Sequence, residues 1–364
     1  MPHKYLVLVM SFFFFLTAGS VSAAQRYVSP SGIDSMNDCS DPSKPCATFA
    51  HAIEEASAGD TVVAANGTYA GSGNFDISLQ GKEITVSSEN GPSSCIIDCE
   101  GKGCAFVFQD DEGPTTKVSG FTIVNGGGWP PGFGQAINCF STSPTIENCV
   151  IKQCSGSAVV NLSSSNAKLK ECIIEDNDGV TNVVSINAGN PKFVNCIIAN
   201  NEGACGIHMS GGSNADITNC TIINNTDDNY GGISCNNYDS PTIVNCIIWG
   251  NTPAQISSDA SSTPAVSYSD VQGGYSGEHN LDLDPKLAGS HNYHLKRGSP
   301  CIDTGICGKW ISQFIYARFA PYVDYEQDAR CPGLSTSGCC DIGADEYTGQ
   351  APNMPWLPLL LLDE

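Results

Sequence analysis

The sequence predicts an all-β chain wound as a parallel β-helix, a solenoid with three short strands per coil. A short helix caps its N-terminal end and an irregular region caps its C-terminal end. Three observations carry this prediction. First, a cysteine followed two residues later by an aliphatic residue recurs five times. The copies are Asn148-Cys149-Val150-Ile151, Glu171-Cys172-Ile173-Ile174, Asn195-Cys196-Ile197-Ile198, Asn219-Cys220-Thr221-Ile222 and Asn245-Cys246-Ile247-Ile248, at spacings of 23, 24, 24 and 26 residues. Second, each repeat divides into three β-prone runs separated by Gly, Asn, Ser and Pro: residues 206–209, 216–218 and 220–223 in the fourth copy, and 232–235, 242–244 and 246–249 in the fifth. Third, no helical pattern falls inside the repeat. A propeller blade needs roughly 40 residues and a leucine-rich repeat needs a Leu-Asn pattern that is absent, so short stacked strands remain.

Met1 to Ala23 has the parts of a secretory leader: His3 and Lys4, an apolar stretch from Leu6 to Leu16, and the small-residue site Val21-Ser22-Ala23. Read as an anchor instead, the apolar stretch falls short of the roughly 20 residues a membrane span needs. Residues 24–83 form the N-terminal cap and first strands. Phe49, Ala52, Ile53 and Ala56 have helical spacing, Gly59-Asp60 stops the helix, and residues 61–65 read as a strand ahead of the Asn66-Gly67 turn. A helix there hides the open edge of the first coil. Residues 84–266 are the repeats, 267–347 a C-terminal cap where the pattern decays, and 348–364 a tail whose leucine run is too short to span a membrane.

Period-two alternation assigns faces. On the first strand of each coil, Ile137, Val159, Val183, Ile207 and Ile233 are expected to point inward. On the third, the five cysteines point inward with Ile151, Ile174, Ile198, Ile222 and Ile248. Asn148, Asn195, Asn219 and Asn245 fall at the bend between second and third strands, where Asn tolerates the left-handed conformation. The outward third-strand column is unexpectedly apolar: Val150, Ile173, Ile197, Thr221 and Ile247, with Ile223 and Trp249 alongside. A stripe of that length is expected to be covered, by the C-terminal segment or by a second copy of the chain.

Nineteen cysteines in an exported chain imply disulfides. Cys39 and Cys46 bracket a Pro-rich loop, and Cys301, Cys307, Cys331, Cys339 and Cys340 occupy the irregular cap, so these are the candidates. The repeat cysteines stack with parallel Cβ vectors, which disfavours bridging, and act as small hydrophobes. With 16 Lys and Arg against 38 Asp and Glu, the net charge is −22. That surface repels nucleic acid, and it repels acidic polysaccharide unless a cation such as Ca²⁺ bridges the two.

The opening Tyr27-Val28-Ser29-Pro30-Ser31-Gly32, with Pro45-Cys46-Ala47-Thr48, Ala58-Gly59-Asp60-Thr61 and Gly67-Thr68-Tyr69, resembles the N-terminal cap of secreted right-handed parallel β-helix proteins of the pectate-lyase-like kind. The closing Ser299-Pro300-Cys301-Ile302-Asp303, Asp328-Ala329-Arg330 and Asp341-Ile342-Gly343-Ala344-Asp345-Glu346 is similar to the tail of bacterial choice-of-anchor β-helix proteins. The resemblance implies a right-handed coil and export. It leaves activity open, because lyases, epimerases and adhesins share the coil.

Resemblance to polysaccharide lyases implies carboxylates holding Ca²⁺, and a Lys or Arg base, on the first-strand face. The outward column expected there is Asn138, Val160, Val184, His208 and Ser234, flanked by Ala136, Ala158, Asn182, Gly206 and Gly232. It contains no carboxylate, Lys or Arg. The loops entering that face do carry acids. Asp176, Asp178, Glu202, Asp227 and Asp228 are the candidate ligands for Ca²⁺, and otherwise a solvated acidic rim. His208 beside them is the candidate general base. Trp129, Tyr230, Tyr238 and Trp249 are the candidate platforms for stacking on a sugar ring, and otherwise pack under loops. Asp303, Asp341, Asp345 and Glu346 are expected to build turns.

Two functions follow. One is an extracellular, cell-surface or periplasmic protein that binds a polysaccharide or surface glycan without chemistry, or adheres and assembles, with self-association through Val150, Ile173, Ile197 and Ile247. The other is a Ca²⁺-dependent lyase or epimerase acting on acidic polysaccharide.

Overall fold

The structure, a computed structural model, describes residues 23–128, 134–306, 308–312, 315–318, 324–326 and 340–346. The leader and the C-terminal tail lie outside the described residues. Three parallel sheets of ten, nine and eight strands wrap one core as a right-handed β-helix, and a single helix is described. Each coil runs from the eight-stranded sheet to the ten-stranded and then the nine-stranded sheet, as in Cys205–Ser210, Asp216–Thr218 and Thr221–Ile223.

The helix is Phe49–Glu55. Thr48 caps it, its hydroxyl accepting from the His51 amide at 3.2 Å. Phe49, Ala52, Ile53 and Ala56 are all buried, as their spacing predicts. Around them Tyr69, Phe106, Phe108 and Phe121 fill the first coils with aromatic volume. Farther along, cysteine and isoleucine replace the rings. Cys149, Cys172, Cys196, Cys220 and Cys246 are at most 1% exposed and unbridged.

The coil turns two of its corners on single left-handed residues. Between second and third strands these are Asn148, Glu171, Asn195, Asn219 and Asn245, with φ between 48° and 55°. After the third strand they are Gln153, Asp176, Asn200 and Asn224, with φ between 53° and 57°. A side-chain amide ladder lies just inside that second corner. Asn177, Asn201, Asn225 and Asn251 are buried, and each passes an Nδ2 hydrogen bond to the next at 2.9, 2.7 and 3.0 Å. Their amides also bond the carbonyls of Glu175, Ile174, Ile198 and Ile222. These bonds satisfy backbone oxygens that the corner would otherwise bury unpaired. The Asn-Asn pairs at 200–201 and 224–225 are its sequence signal, which strand alternation does not register because they lie at a corner.

The first-strand register differs from expectation by one residue in two coils. Ile137 pairs with Val160, Val160 with Val184 and Val184 with Ile207, so Val160 and Val184 point inward. The outward positions are Asn161 and Ser185. The first strand stands 12 residues before the repeat cysteine in these two coils (172 − 160, 196 − 184) and 13 in the next two (220 − 207, 246 − 233), a difference in the intervening loop that alternation counted from the later copies misses.

The apolar third-strand stripe is covered by the chain itself. Ile197, Ala199, Ile223 and Ile247 form a second buried cluster with Tyr293, Leu295, Cys301, Tyr325, Ile342 and Ala344 of the C-terminal cap. Polar contacts fix the register. Asn245 exchanges two hydrogen bonds with the Ile306 backbone, at 2.8 and 2.9 Å, and its carbonyl accepts from the Gly343 amide. Thr221, the polar position in the stripe, accepts from the Ala344 amide at 3.0 Å. Gly343 has φ 103°, and a Cβ there would lie 2.6 Å from Ile247 Cδ1. The cap therefore approaches the sheet as only glycine permits. Ile197 and Ile247 are consequently closed to a second copy of the chain, while Val150 and Ile173 stand at the rim.

Cys39 and Cys46 form the disulfide expected of them. Cys301 does not. It is a buried free thiol that donates to Asp270 at 3.2 Å and packs with the cap residues on the apolar stripe. Cys340 is disulfide-bonded, and Cys307, Cys331 and Cys339 lie outside the described residues.

Candidate functional site

Pairing along the eight-stranded sheet aligns Asn138, Asn161, Ser185, His208 and Ser234 in one outward column. The sequence places them there because each follows an inward aliphatic residue in a strand of period two. Asn161 Nδ2 donates to Asn138 Oδ1 at 2.8 Å, and Asn236 Nδ2 donates to Ser234 Oγ at 2.9 Å. Asn138, Asn161 and Ser234 are buried, whereas Ser185 and His208 are half-buried. The column is polar and carries no formal charge apart from the titratable His208.

Burial lowers the His208 pKa from its ordinary value, and the nearby Asp239 and Asp227 only partly oppose that. The imidazole is therefore neutral at neutral pH. Its Nδ1 is buried and has no hydrogen-bond partner among the described residues. The ring packs against Tyr230, centroid to centroid at 5.7 Å and tilted by 41°. Asp239 does not offer its carboxylate to this face. It is fully buried and accepts from the Ser213 and Asn236 amides at 2.7 and 2.9 Å.

The candidate sugar platforms separate. Tyr230 is half-buried beside His208, and Tyr238 is 75% exposed on a left-handed turn beyond Cys235. Trp249 is partly buried against the cluster that the stripe forms with the C-terminal cap, so it is part of a covered face. Trp129 lies outside the described residues.

The candidate metal ligands separate too. Asp178 and Glu202 align on adjacent coils and are both exposed. Asp227 turns back on its own loop, accepting from the Asp228 and Tyr230 amides at 2.7 and 3.0 Å, and Asp228 points to solvent. Asp176 instead meets His291, with Oδ1 3.0 Å from Nε2. Among the described residues, Asp176 gathers with Glu175 and His291, all ligand atoms within 4.8 Å of one another. No such group draws on Asp178, Glu202, Asp227 or Asp228. His291 comes from 115 residues away, a separation no local pattern reveals.

A second carboxylate–imidazole group holds the cap together. His294 sits with Nδ1 3.0 Å from Asp345 and Nε2 3.3 Å from Glu326, all three side chains largely buried. Burial disfavours the imidazolium, but hydrogen bonds to Asp345 and Glu326 and their charges prevail and raise its pKa to about 10. Asp345 also accepts from the Leu295 amide, and Asp341 accepts from the Asp303 amide, the turn-building role expected of this acidic set.

A family model described as "Right handed beta helix region" matches residues 180–279. Solved structures share the fold. Pectate lyase Pel9A superposes with a TM-score of 0.54 at 15% identity, over 90% of this chain and 97% of that one. The structure of XylC with xylose gives 0.53 at 11% identity, over 71% of this chain and 66% of that one, just under two thirds of its length. No curated protein matches the chain. Identities this low carry the architecture and not the chemistry. Among the described residues, no helix is long and apolar enough to cross a membrane.

Proposed function

We propose that this is an exported β-helix protein that holds a glycan, without catalysis, on the outer face of its eight-stranded sheet. The uncharged column Asn138, Asn161, Ser185, His208 and Ser234 carries the reading. Half-buried Ser185 and His208, on adjacent coils, offer a hydroxyl and a neutral imidazole to the hydroxyls of a chain lying along the stack, and buried Asn138, Asn161 and Ser234 form a polar floor behind them. The Tyr230 ring beside His208 adds an apolar face for a pyranose. Elimination from a uronate needs a base and positive charge to stabilise the carbanion. The column supplies neither Lys nor Arg, and a half-buried, neutral His208 is its sole titratable group.

Isothermal titration of the protein with a panel of neutral and acidic oligosaccharides tests this. Saturable binding lost in both His208→Ala and Tyr230→Ala supports it, and binding unaffected by both removes it. The second reading is a Ca²⁺-dependent lyase or epimerase, favoured by the aligned, exposed Asp178 and Glu202. It predicts Ca²⁺-dependent formation of unsaturated uronate, or of the C5-epimer, from pectin or alginate. Loss of turnover in Asp178→Asn would place the ion at that pair.

A further inference from the structure

We infer that Glu175, Asp176 and His291 form a site for a divalent transition ion of the zinc class, which fastens the C-terminal cap to the coil stack. Glu175 ends the strand Ile173–Glu175, and the left-handed Asp176 turns the corner. Two successive carboxylates thereby reach one point, and His291 closes it from the cap, with every ligand atom within 4.8 Å of the others. One imidazole and two carboxylates with a position left to water is a ligand set that zinc accepts. Calcium prefers six to eight oxygens, which an imidazole does not supply.

The surroundings already orient the ligands. Ser290 Oγ lies 3.2 Å from His291 Nδ1, leaving Nε2 turned toward Asp176. Tyr293 Oη donates to Glu175 Oε2 at 2.5 Å, and no described residue bonds Oε1. Asn200 Nδ2 in turn bonds both Tyr293 Oη and the Ser290 carbonyl, at 3.1 and 2.8 Å. A partner on the second ring nitrogen and a held carboxylate are the outer-shell features that metal sites use. Glu175 is only 6% exposed and lies beside a second carboxylate, Asp176, so a dication there neutralises two adjacent negative charges at one point. The side chains of Asp176 and His291 are 41% and 56% exposed, so an ion has a path in.

The test uses the purified protein, stripped with chelator and kept reduced. Calorimetric titration with Zn²⁺, absorption with Co²⁺, and limited proteolysis of the cap are each compared with and without metal. We expect one ion per chain, a Co²⁺ spectrum of oxygen and nitrogen ligands, and slower cleavage of the cap. His291→Ala and Asp176→Asn should weaken binding at least about 100-fold, and Tyr293→Phe about 10–100-fold. His279→Ala, at an exposed histidine elsewhere, should leave it unchanged. Absence of binding overturns the inference, as does binding that survives His291→Ala. A thiolate-to-cobalt charge-transfer band, or protection by Ca²⁺ but not Zn²⁺, also overturns it.

Discussion

The buried thiols make the fold sharply sensitive to alkali, and the structure lets the size of the effect be worked out. Thirteen free cysteines are buried among the described residues. In all of them but Cys246, twelve thiols, the pKa is raised above the ordinary 9.0, for example up to about 12 in Cys95, Cys154 and Cys235. Burial is the leading cause in ten. For Cys149 the hydrogen bond with Cys172 leads and burial follows. For Cys172 the Cys149 bond opposes the rise, and Cys196 and burial prevail. A raised folded pKa means that the unfolded chain loses its protons first. The stability is intact below the unfolded value and is lost as pH rises through it toward the folded one. Each thiol then costs roughly half a kcal/mol at pH 9 and somewhat over 1 kcal/mol at pH 10, so twelve together cost on the order of 5 and 15 kcal/mol. Domains have roughly 5–15 kcal/mol to lose. The protein should therefore unfold cooperatively between about pH 9 and pH 10. Far-ultraviolet circular dichroism and thiolate absorbance, followed together in reductant, should change in one step. Folded signal persisting beyond pH 10 while thiolate absorbance grows would refute the reasoning, as would thiols that react with a disulfide reagent in the native state at pH 8.

Three further outcomes are expected. His294→Gln should cost about 3 kcal/mol in urea unfolding at pH 6, since it leaves Asp345 and Glu326 buried without their cation. Because the folded pKa is raised from 6.5 to about 10, this contribution is complete below 6.5 and fades as pH rises toward 10, so the gap between wild type and variant should narrow in that window. Asn201→Ala should cost about 3–5 kcal/mol by chemical denaturation, because it strips partners from Asn177, Asn225 and the Ile174 carbonyl at a buried corner. Ile247→Ala should cost about 2–4 kcal/mol and speed proteolysis of the cap, leaving the coil strands protected from hydrogen exchange.

The coil was legible in the sequence because its information is local and repeated. A 24-residue period, single Asn corners and alternation each need only a few residues to be read, and the inward cysteines follow from them, while the N-terminal helix was legible in the spacing of Phe49, Ala52, Ile53 and Ala56. The apolar stripe could likewise be read as needing a cover. Other features escaped because they depend on counts or partners that the repeat does not encode. A first strand set 12 residues before the repeat cysteine (172 − 160, 196 − 184), not the 13 of later coils (220 − 207, 246 − 233), turned Val160 and Val184 inward and brought Asn161 and Ser185 to the outer face. Asp176 was legible as an acid at a corner, but its companion His291 was not.

Sequence alone therefore determined the winding of the chain, since each coil repeats the same burial problem and solves it with the same residue types. Tertiary structure decided what lies on the coil. The cap returns from Tyr293, 22 residues (293 − 271) after the last third-strand segment at Asp270–Val271, and chooses the stripe by packing. That choice brings His291 to Asp176, His294 between Asp345 and Glu326, and Ala344 onto Thr221. It also leaves the uncharged column of the eight-stranded sheet as the outer face that the described cap residues do not pack against. Such pairings arise from shape and charge between segments far apart in the chain, and no period in the sequence records them.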